Sequence, residues 1–227
     1  MTKPCGIFVT GTDTGVGKTV VSLGLMQVLQ DRGLCVAGMK PVASGCEPTP
    51  AGLRNDDALR LQRQSSIALD YDAVNPYAFE PAIAPHLAAR TVGMQVDIGV
   101  IHDAYQVLAA QVDCVVVEGV GGWRVPLNDH EEVADLATRL GLDVWLVVGM
   151  RLGCLNHGLL TATAIETSGC SLAGWVANHI PPLMESAEAN INTLKDKLSY
   201  PLMGIVPALD DLDVKTVAHA INYTFVE

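Results

Sequence analysis

The feature that most restricts what this chain can fold into is one glycine-rich run, Gly11-Thr12-Asp13-Thr14-Gly15-Val16-Gly17-Lys18-Thr19. It follows an apolar, β-branched segment over 6–10 and precedes a helical pattern over 18–31 that Gly33 stops. A strand that turns through glycines straight into a helix collects unpaired backbone N–H groups at the helix start. Together with the helix dipole they form a nest for an anion. In a nest of this composition Lys18 reaches the β- and γ-phosphates of a nucleotide, and the Thr19 hydroxyl ligates Mg²⁺. Such loops usually place about four residues between their first glycine and Gly-Lys-Thr. Here Thr12 fills that first place and Gly11 stands one residue upstream, so the loop is a lengthened variant. A ligand-free turn is the bland alternative, and the direct strand–loop–helix order weighs against it.

The same alternation continues along the chain. Apolar, β-rich runs recur at 34–40, 114–118, 144–148, 172–177 and 202–206, with helical stretches at 98–111, 131–140, 154–167, 187–198 and 213–223. Strands apolar at every position are buried on both faces, and helices between them make the sheet parallel. The fold class is therefore α/β: a mostly parallel sheet flanked by helices, of the phosphate-loop NTPase type. The 227 residues read as one such domain, with a Pro-rich, polar insertion on the ligand face at about 41–91.

A parallel sheet binds ligands outside the carboxyl ends of its strands, and the scarce charged residues gather there. Of six lysines, only Lys18 and Lys40 lie between residues 4 and 194. Two point cations on that edge suit a phosphoryl group or a developing anion. Lys40 alone would read as a solvated loop lysine, but beside Lys18 it reads as functional. As a strand-end ammonium it is expected to contribute little to stability. Glu118 closes an otherwise apolar run, where a Mg²⁺-ligating acid belongs, and Gly119, Gly121 and Gly122 let a ligand approach the backbone. The alternative is a carboxylate escaping to water. Asp56 and Asp57 suit a second metal carboxylate, Asp57 the better placed, or else the first turn of a helix. Asn178, at a strand end before Pro181-Pro182, offers its amide to a nucleobase edge or serves an ordinary turn.

Composition removes other classes. Fourteen Lys and Arg against 25 Asp and Glu leave a net charge of −11, which repels nucleic acid and anionic lipid; neither is expected as a partner. The longest strongly apolar stretch, 144–150, is too short to span a bilayer, and the opening residues lack the apolar region of a signal peptide. A cytoplasmic location is expected. Six cysteines without a Cys-x-x-Cys pair and six histidines without ligand spacing speak against a zinc site or disulfide scaffold. The thiols read as reduced and mostly structural.

On these residues the chain resembles the dethiobiotin synthetases, ATP-dependent enzymes that close a ureido ring. The likeness runs over nearly the whole length. Besides the loop it rests on Lys40-Pro41-Val42-Ala43-Ser44-Gly45, Leu53-Arg54-Asn55-Asp56-Asp57-Ala58 and Val74-Asn75-Pro76-Tyr77. It continues through Val117-Glu118-Gly119-Val120-Gly121-Gly122-Trp123, Leu152-Gly153-Cys154-Leu155-Asn156-His157 and Gly174-Trp175-Val176-Ala177-Asn178.

The resemblance implies that an amine of 7,8-diaminononanoate takes up CO₂ as a carbamate. The carbamate oxygen then attacks the γ-phosphate of MgATP, and the second amine displaces phosphate from the resulting anhydride. It implies Mg²⁺ on Thr19, Asp57 and Glu118, with Lys18 and Lys40 stabilising charge and Lys40 the catalytic lysine. Gly15, Val16, Gly17, Val20 and Gly121 would complete the nucleotide site, with Asn178, His179, Pro207, Ala208 and Leu209 around the adenine. Thr14 and Ser44 would touch substrate or phosphate. A homodimer with a composite site is implied, in which Gly153, Cys154 and Asn156 of the neighbouring subunit hold the substrate carboxylate. By its residues alone that segment serves equally to cap its own helix. Gly15 stands where some relatives carry Glu, and His179 where relatives have Asp, which bears on the preference for adenine. Nucleotide-switch ATPases with Lys-Gly-Gly-x-Gly-Lys loops need an extra lysine where this chain has Asp13. Cobyrinate-type amidating synthetases need a glutaminase part for which there is no room, and Cys154 follows no nucleophile-elbow pattern.

Overall fold

Strands that are apolar at every position need cover on both faces, and this chain supplies it with helices. The computed structural model describes residues 5–223; residues 1–4, where the opening stretch was read for a signal peptide, lie outside them. Along the chain come β1 (Cys5–Gly11), α1 (Lys18–Asp31), β2 (Val36–Met39), β3 (Val42–Ser44), β4 (Glu47–Thr49), β5 (Gly52–Arg54), α2 (Asp56–Gln64), α3 (Tyr71–Val74), β6 (Tyr77–Phe79) and α4 (Pro85–Thr91). They are followed by α5 (Ile98–Ala109), β7 (Cys114–Glu118), α6 (Val133–Leu140), β8 (Asp143–Met150), α7 (Cys154–Thr167), β9 (Leu172–His179), α8 (Ala187–Lys197), β10 (Leu202–Val206) and α9 (Val214–His219).

All six predicted strands join one parallel sheet in the order β10-β9-β8-β1-β7-β2. Successive side chains point to opposite faces, and the core divides accordingly. Phe8, Leu146 and Trp175 enter one layer with Leu108 of α5, Leu136 of α6, Ile165 of α7 and Leu194 of α8. Ile7, Val9, Trp145 and Val147 enter the other with Val21 and Leu25 of α1 and Val217 of α9. Each such large apolar side chain contributes about 1.5–3 kcal/mol on burial, so this sheet is held from both sides.

The section 41–91 divides between two places. β3 pairs with β6 in parallel, and β4 with β5 as a hairpin. By contrast α2 packs against β2 and α1, and Leu61 enters the core. At its end the Ser65 and Ser66 hydroxyls accept from the Gly38 and Val36 N–H groups, each at 3.0 Å. The outer edge of β2 is thereby closed to further strand pairing.

Register then assembles the ligand edge. Val9 lies opposite Glu118 and Met39 opposite Val117. The loop after β1, Lys40 after β2 and Glu118 at the end of β7 therefore meet.

Candidate active site

α1 begins at Lys18, with Gly17 as its cap at φ 90° and Gly15 just before it at φ 73°. These left-handed angles suit glycine, and a Cβ at Gly17 would overlap the Asn178 amide. No side chain caps the helix and no acid stands in its first turn, so its first N–H groups are left for a ligand. The Lys18 ammonium lies across the loop and donates to the carbonyls of Asp13 (2.9 Å) and Gly121 (2.7 Å). Burial, with the neighbouring Lys40 charge, lowers its pKa to about 8, although Glu118, Asp57 and Asp13 oppose the shift.

Lys40 is buried, only 4% exposed, which runs against the expectation that a strand-end ammonium contributes little to stability. Its Nζ donates to Glu118 Oε1 at 2.5 Å and to the Gly119 carbonyl at 3.2 Å, and stands 3.6 Å from Asp57 Oδ2. The reason is tertiary: Val74 and Asn75 hold its backbone, and its counter-charge comes from two other stretches of chain, Asp57 and Glu118. Burial works against the ammonium, but Glu118 and Asp57 outweigh it and hold the Lys40 pKa above its ordinary value. Burial pushes the Glu118 carboxyl up, against the pull of Lys40.

Glu118 Oε1 also accepts from the Thr19 hydroxyl at 3.1 Å, while its Oε2 is buried with no hydrogen-bond partner among the described residues. An orphaned carboxylate oxygen beside a hydroxyl and a second carboxylate is a hard-oxygen set that fits Mg²⁺. Among the described residues no group of three or more His, Cys, Asp or Glu could hold a metal. An ion at Thr19, Asp57 and Glu118 would complete its shell with phosphate oxygens and water.

These groups face a cavity of about 810 Å³, lined by Thr14, Gly15, Gly17, Lys18, Thr19, Val20, Lys40, Ser44, Asp57, Glu118 and Gly121. Ser44 Oγ is buried there without a partner among the described residues. Asp57 lines this cavity and also sits in the first turn of α2, which Asn55 caps by accepting from the Ala58 N–H. A second recess of about 280 Å³ adjoins the loop, bounded by Gly15, Gly17, Val20, Asn178, His179, Ile180, Pro181, Pro207, Leu209 and Leu212. The Asn178 amide N–H₂ donates to the Val16 carbonyl at 2.9 Å and so props the loop from behind. Val16 itself is fully buried, and neither Val16 nor Ala208 lines the two hollows.

The α7 segment stands apart. Gly153 caps α7 at φ 95°, Cys154 is buried and Asn156 is exposed; none lines either hollow. Arg151 pairs with Asp13 of the loop, which ties this helix start to the site's rim. Leu152 (92%) and Leu160 (62%) are strongly exposed nearby.

Two contributions escaped the sequence reading. One is an apolar wall in the large cavity, Ile83, Pro85, Val120 and Val125, which carries no periodic signal. The other is a buried relay behind Lys40. Asn75 donates to the Lys40 carbonyl at 2.7 Å, the Tyr71 hydroxyl donates to Asn75 Oδ1 at 2.9 Å, and the Asn55 N–H donates to that hydroxyl at 2.7 Å. In the sequence Asn75 stands out only as part of the Val74-Asn75-Pro76-Tyr77 segment, with no role attached to it.

Comparison with known proteins follows the same lines. A family model described as an AAA domain matches residues 5–216. The ATP-dependent dethiobiotin synthetase BioD of Pseudomonas paraeruginosa is 54% identical over 212 residues, covering 93% of each chain. That of Xanthomonas oryzae pv. oryzae is 48% identical over 220 residues, covering 97% of this chain and 98% of the other. Among solved structures, the MinD cell division protein of Aquifex aeolicus superposes with a TM-score of 0.57 at 16% identity, over 96% of this chain and 88% of that one. The signal recognition particle receptor FtsY of Elizabethkingia anophelis, in complex with GDP, gives 0.56 at 15% identity, over 96% and 60%. At such identities the two structures share the fold.

Proposed function

This chain belongs to the dethiobiotin synthetase family, and from that premise we propose how its own residues divide the work. The enzyme joins 7,8-diaminononanoate and CO₂ at the expense of ATP, giving dethiobiotin, ADP and phosphate. One observation carries the assignment of roles: Lys18, Thr19, Lys40, Asp57 and Glu118, from four separate stretches of chain, face one cavity.

The free N–H groups at the start of α1 and the Lys18 ammonium hold the β- and γ-phosphates of ATP. Mg²⁺, when bound at Thr19, Asp57 and Glu118, would neutralise charge on those phosphates. Lys40, at the meeting of the carboxylate cluster and the open cavity, stabilises the substrate carbamate and the negative charge that grows as its oxygen attacks the γ-phosphate. Thr14 and the unpartnered Ser44 hydroxyl orient the reacting groups. The apolar wall takes the methylene chain, which leaves water more readily than any polar part. The second amine then displaces phosphate from the carbamic–phosphoric anhydride. Adenine occupies the smaller recess, with Asn178, His179, Pro207 and Leu209 around it and Ala208 holding the turn. The protein acts in the cytoplasm.

We extend the reading to a homodimer. Gly153, Cys154 and Asn156 do not reach this chain's own cavity, and exposed Leu152 and Leu160 flank them. That supports a site in which the α7 N-terminus of one subunit binds the substrate carboxylate of the other. Lys18→Ala and Asn156→Glu subunits should each be nearly inactive alone; Gly153 is avoided because its φ of 95° makes any side chain there a folding defect. Co-refolded heterodimers should recover part of the activity, and heterodimers that stay inactive would place the site within one subunit. For the reaction itself, phosphate release should require both diaminononanoate and bicarbonate, without glutamine. ATP hydrolysis indifferent to either substrate would overturn the assignment.

A further inference from the structure

The ends of β1 and β7 opposite the active site hold a second reactive pair. Cys5 and Cys114 are direct partners across these two parallel strands, and their sulfurs lie 2.7 Å apart. Directly paired residues on neighbouring strands sit about 4.8 Å apart, inside the Cα window of roughly 4.4–6.8 Å that a disulfide needs. Cys114 is fully buried, whereas Cys5 is partly exposed. We propose that Cys5 and Cys114 form an oxidisable dithiol, a modification site for hydroperoxides that closes a disulfide between β1 and β7.

The roles within the pair follow from its hydrogen bonding. The Cys114 thiol donates to the Cys5 sulfur. That bond, against the effect of burial and with help from Tyr223, lowers the Cys5 pKa to about 7. The same bond, with burial, pushes the Cys114 thiol up. Cys5 is therefore the thiolate that meets the oxidant and Cys114 the resolving thiol. Cys5 attacks one peroxide oxygen, the O–O bond breaks, and a sulfenic acid and hydroxide result. The Cys114 sulfur then attacks the Cys5 sulfur, the S–O bond breaks, and the departing hydroxide takes the Cys114 proton as water. With hydrogen peroxide the first hydroxide takes up the proton that Cys5 had released, so two thiols and one hydrogen peroxide give one disulfide and two waters; an organic hydroperoxide leaves its alcohol in place of one water, and a dithiol reductant re-forms the two thiols. None of the other four cysteines has a hydrogen bond to another thiol among the described residues, so each lacks a resolving partner.

Glu118 lies four residues along β7 from Cys114, about 13 Å away at the usual rise per residue. The disulfide therefore pins the base of the two strands that carry the site without entering it.

The test is peroxide treatment of the reduced, full-length protein, followed by alkylation of remaining thiols, intact mass and peptide mapping. The expected product has lost two hydrogens, cross-links Cys5 to Cys114, and forms about tenfold faster than oxidation of Cys35 or Cys170, because among the described residues only Cys5 and Cys114 are bonded thiol to thiol. Its thermal midpoint should lie above that of the reduced protein. Cys5→Ser should abolish the product while retaining turnover. Cys114→Ser, if folded by circular dichroism, should leave a sulfenic acid on Cys5 that dimedone traps. Oxidation of Cys5 no faster than that of Cys35, or a cross-link between other cysteines, would overturn the proposal.

Discussion

Replacing Lys40 by methionine keeps the length and apolar stem of the side chain and deletes its charge. Lys40 is 4% exposed and Glu118 1%, with 2.5 Å between ammonium and carboxylate. Removing one partner of a buried pair costs about 3–5 kcal/mol, because the other charge is stranded. An exposed pair would cost about 0–1 kcal/mol. The burial of both partners puts Lys40→Met in the first class. At about 2–4 °C per kcal/mol for a chain of this size, the midpoint should fall by roughly 6–20 °C. The pH dependence supplies a second signature. Burial already raises the Glu118 pKa, and the loss of Lys40 removes the pull that opposes it. With the folded value above the unfolded one, the protonated carboxyl is the form that folding favours. The variant should therefore regain stability relative to wild type as the pH falls from about 7 towards the unfolded carboxyl value of about 4.3. Lys40→Met/Glu118→Gln leaves no buried carboxylate without its cation at position 118 and should be more stable than Lys40→Met alone. Urea unfolding followed by circular dichroism, with chelator present, reads all three. A loss under about 1 kcal/mol, or a double variant weaker than the single one, would show the pair to be solvated. The same substitution should lower kcat by about 10²–10³ if Lys40 meets charge in the transition state.

Because burial and Lys40 bring Lys18 to about 8, and the ammonium is the form that holds phosphate, kcat/KM for ATP should fall as pH rises through that value. Lys18→Arg, charged throughout, should lack the limb; a flat wild-type profile would contradict the placement of Lys18. Glu118→Gln should move the Mg²⁺ titration of activity to higher concentration, since an amide lacks the hard anionic oxygen; an unchanged titration would reduce Glu118 to a structural partner of Lys40. Gly17→Ala combines a left-handed backbone, at about 1–2 kcal/mol, with overlap on the Asn178 amide. It should lower the thermal midpoint and raise KM for ATP together, and a wild-type KM would show that the loop tolerates a side chain there.

What could be read from the chain was whatever neighbouring residues decide among themselves. A strand apolar at every position, a glycine loop and a helix opening at Lys18 are local events, and α1 and β7 occupy the ranges read for them. The cation, hydroxyl and carboxylates of the site were legible because a parallel sheet delivers every strand end to one edge. Which of them touch was not. The order β10-β9-β8-β1-β7-β2 is set by packing between distant segments. Only that order turns Lys40 from a strand-end lysine into a buried counter-ion 78 residues from its glutamate. The short strands β3 and β6, three residues each, are too brief to show a period and exist because each completes the other. Asn178 found its partner at Val16, 162 residues away, and Cys5 met Cys114 across 109. Residue type and spacing determine which chemistry is available; burial, and with it the charge state and reactivity of each group, belongs to neighbours that only the folded chain supplies.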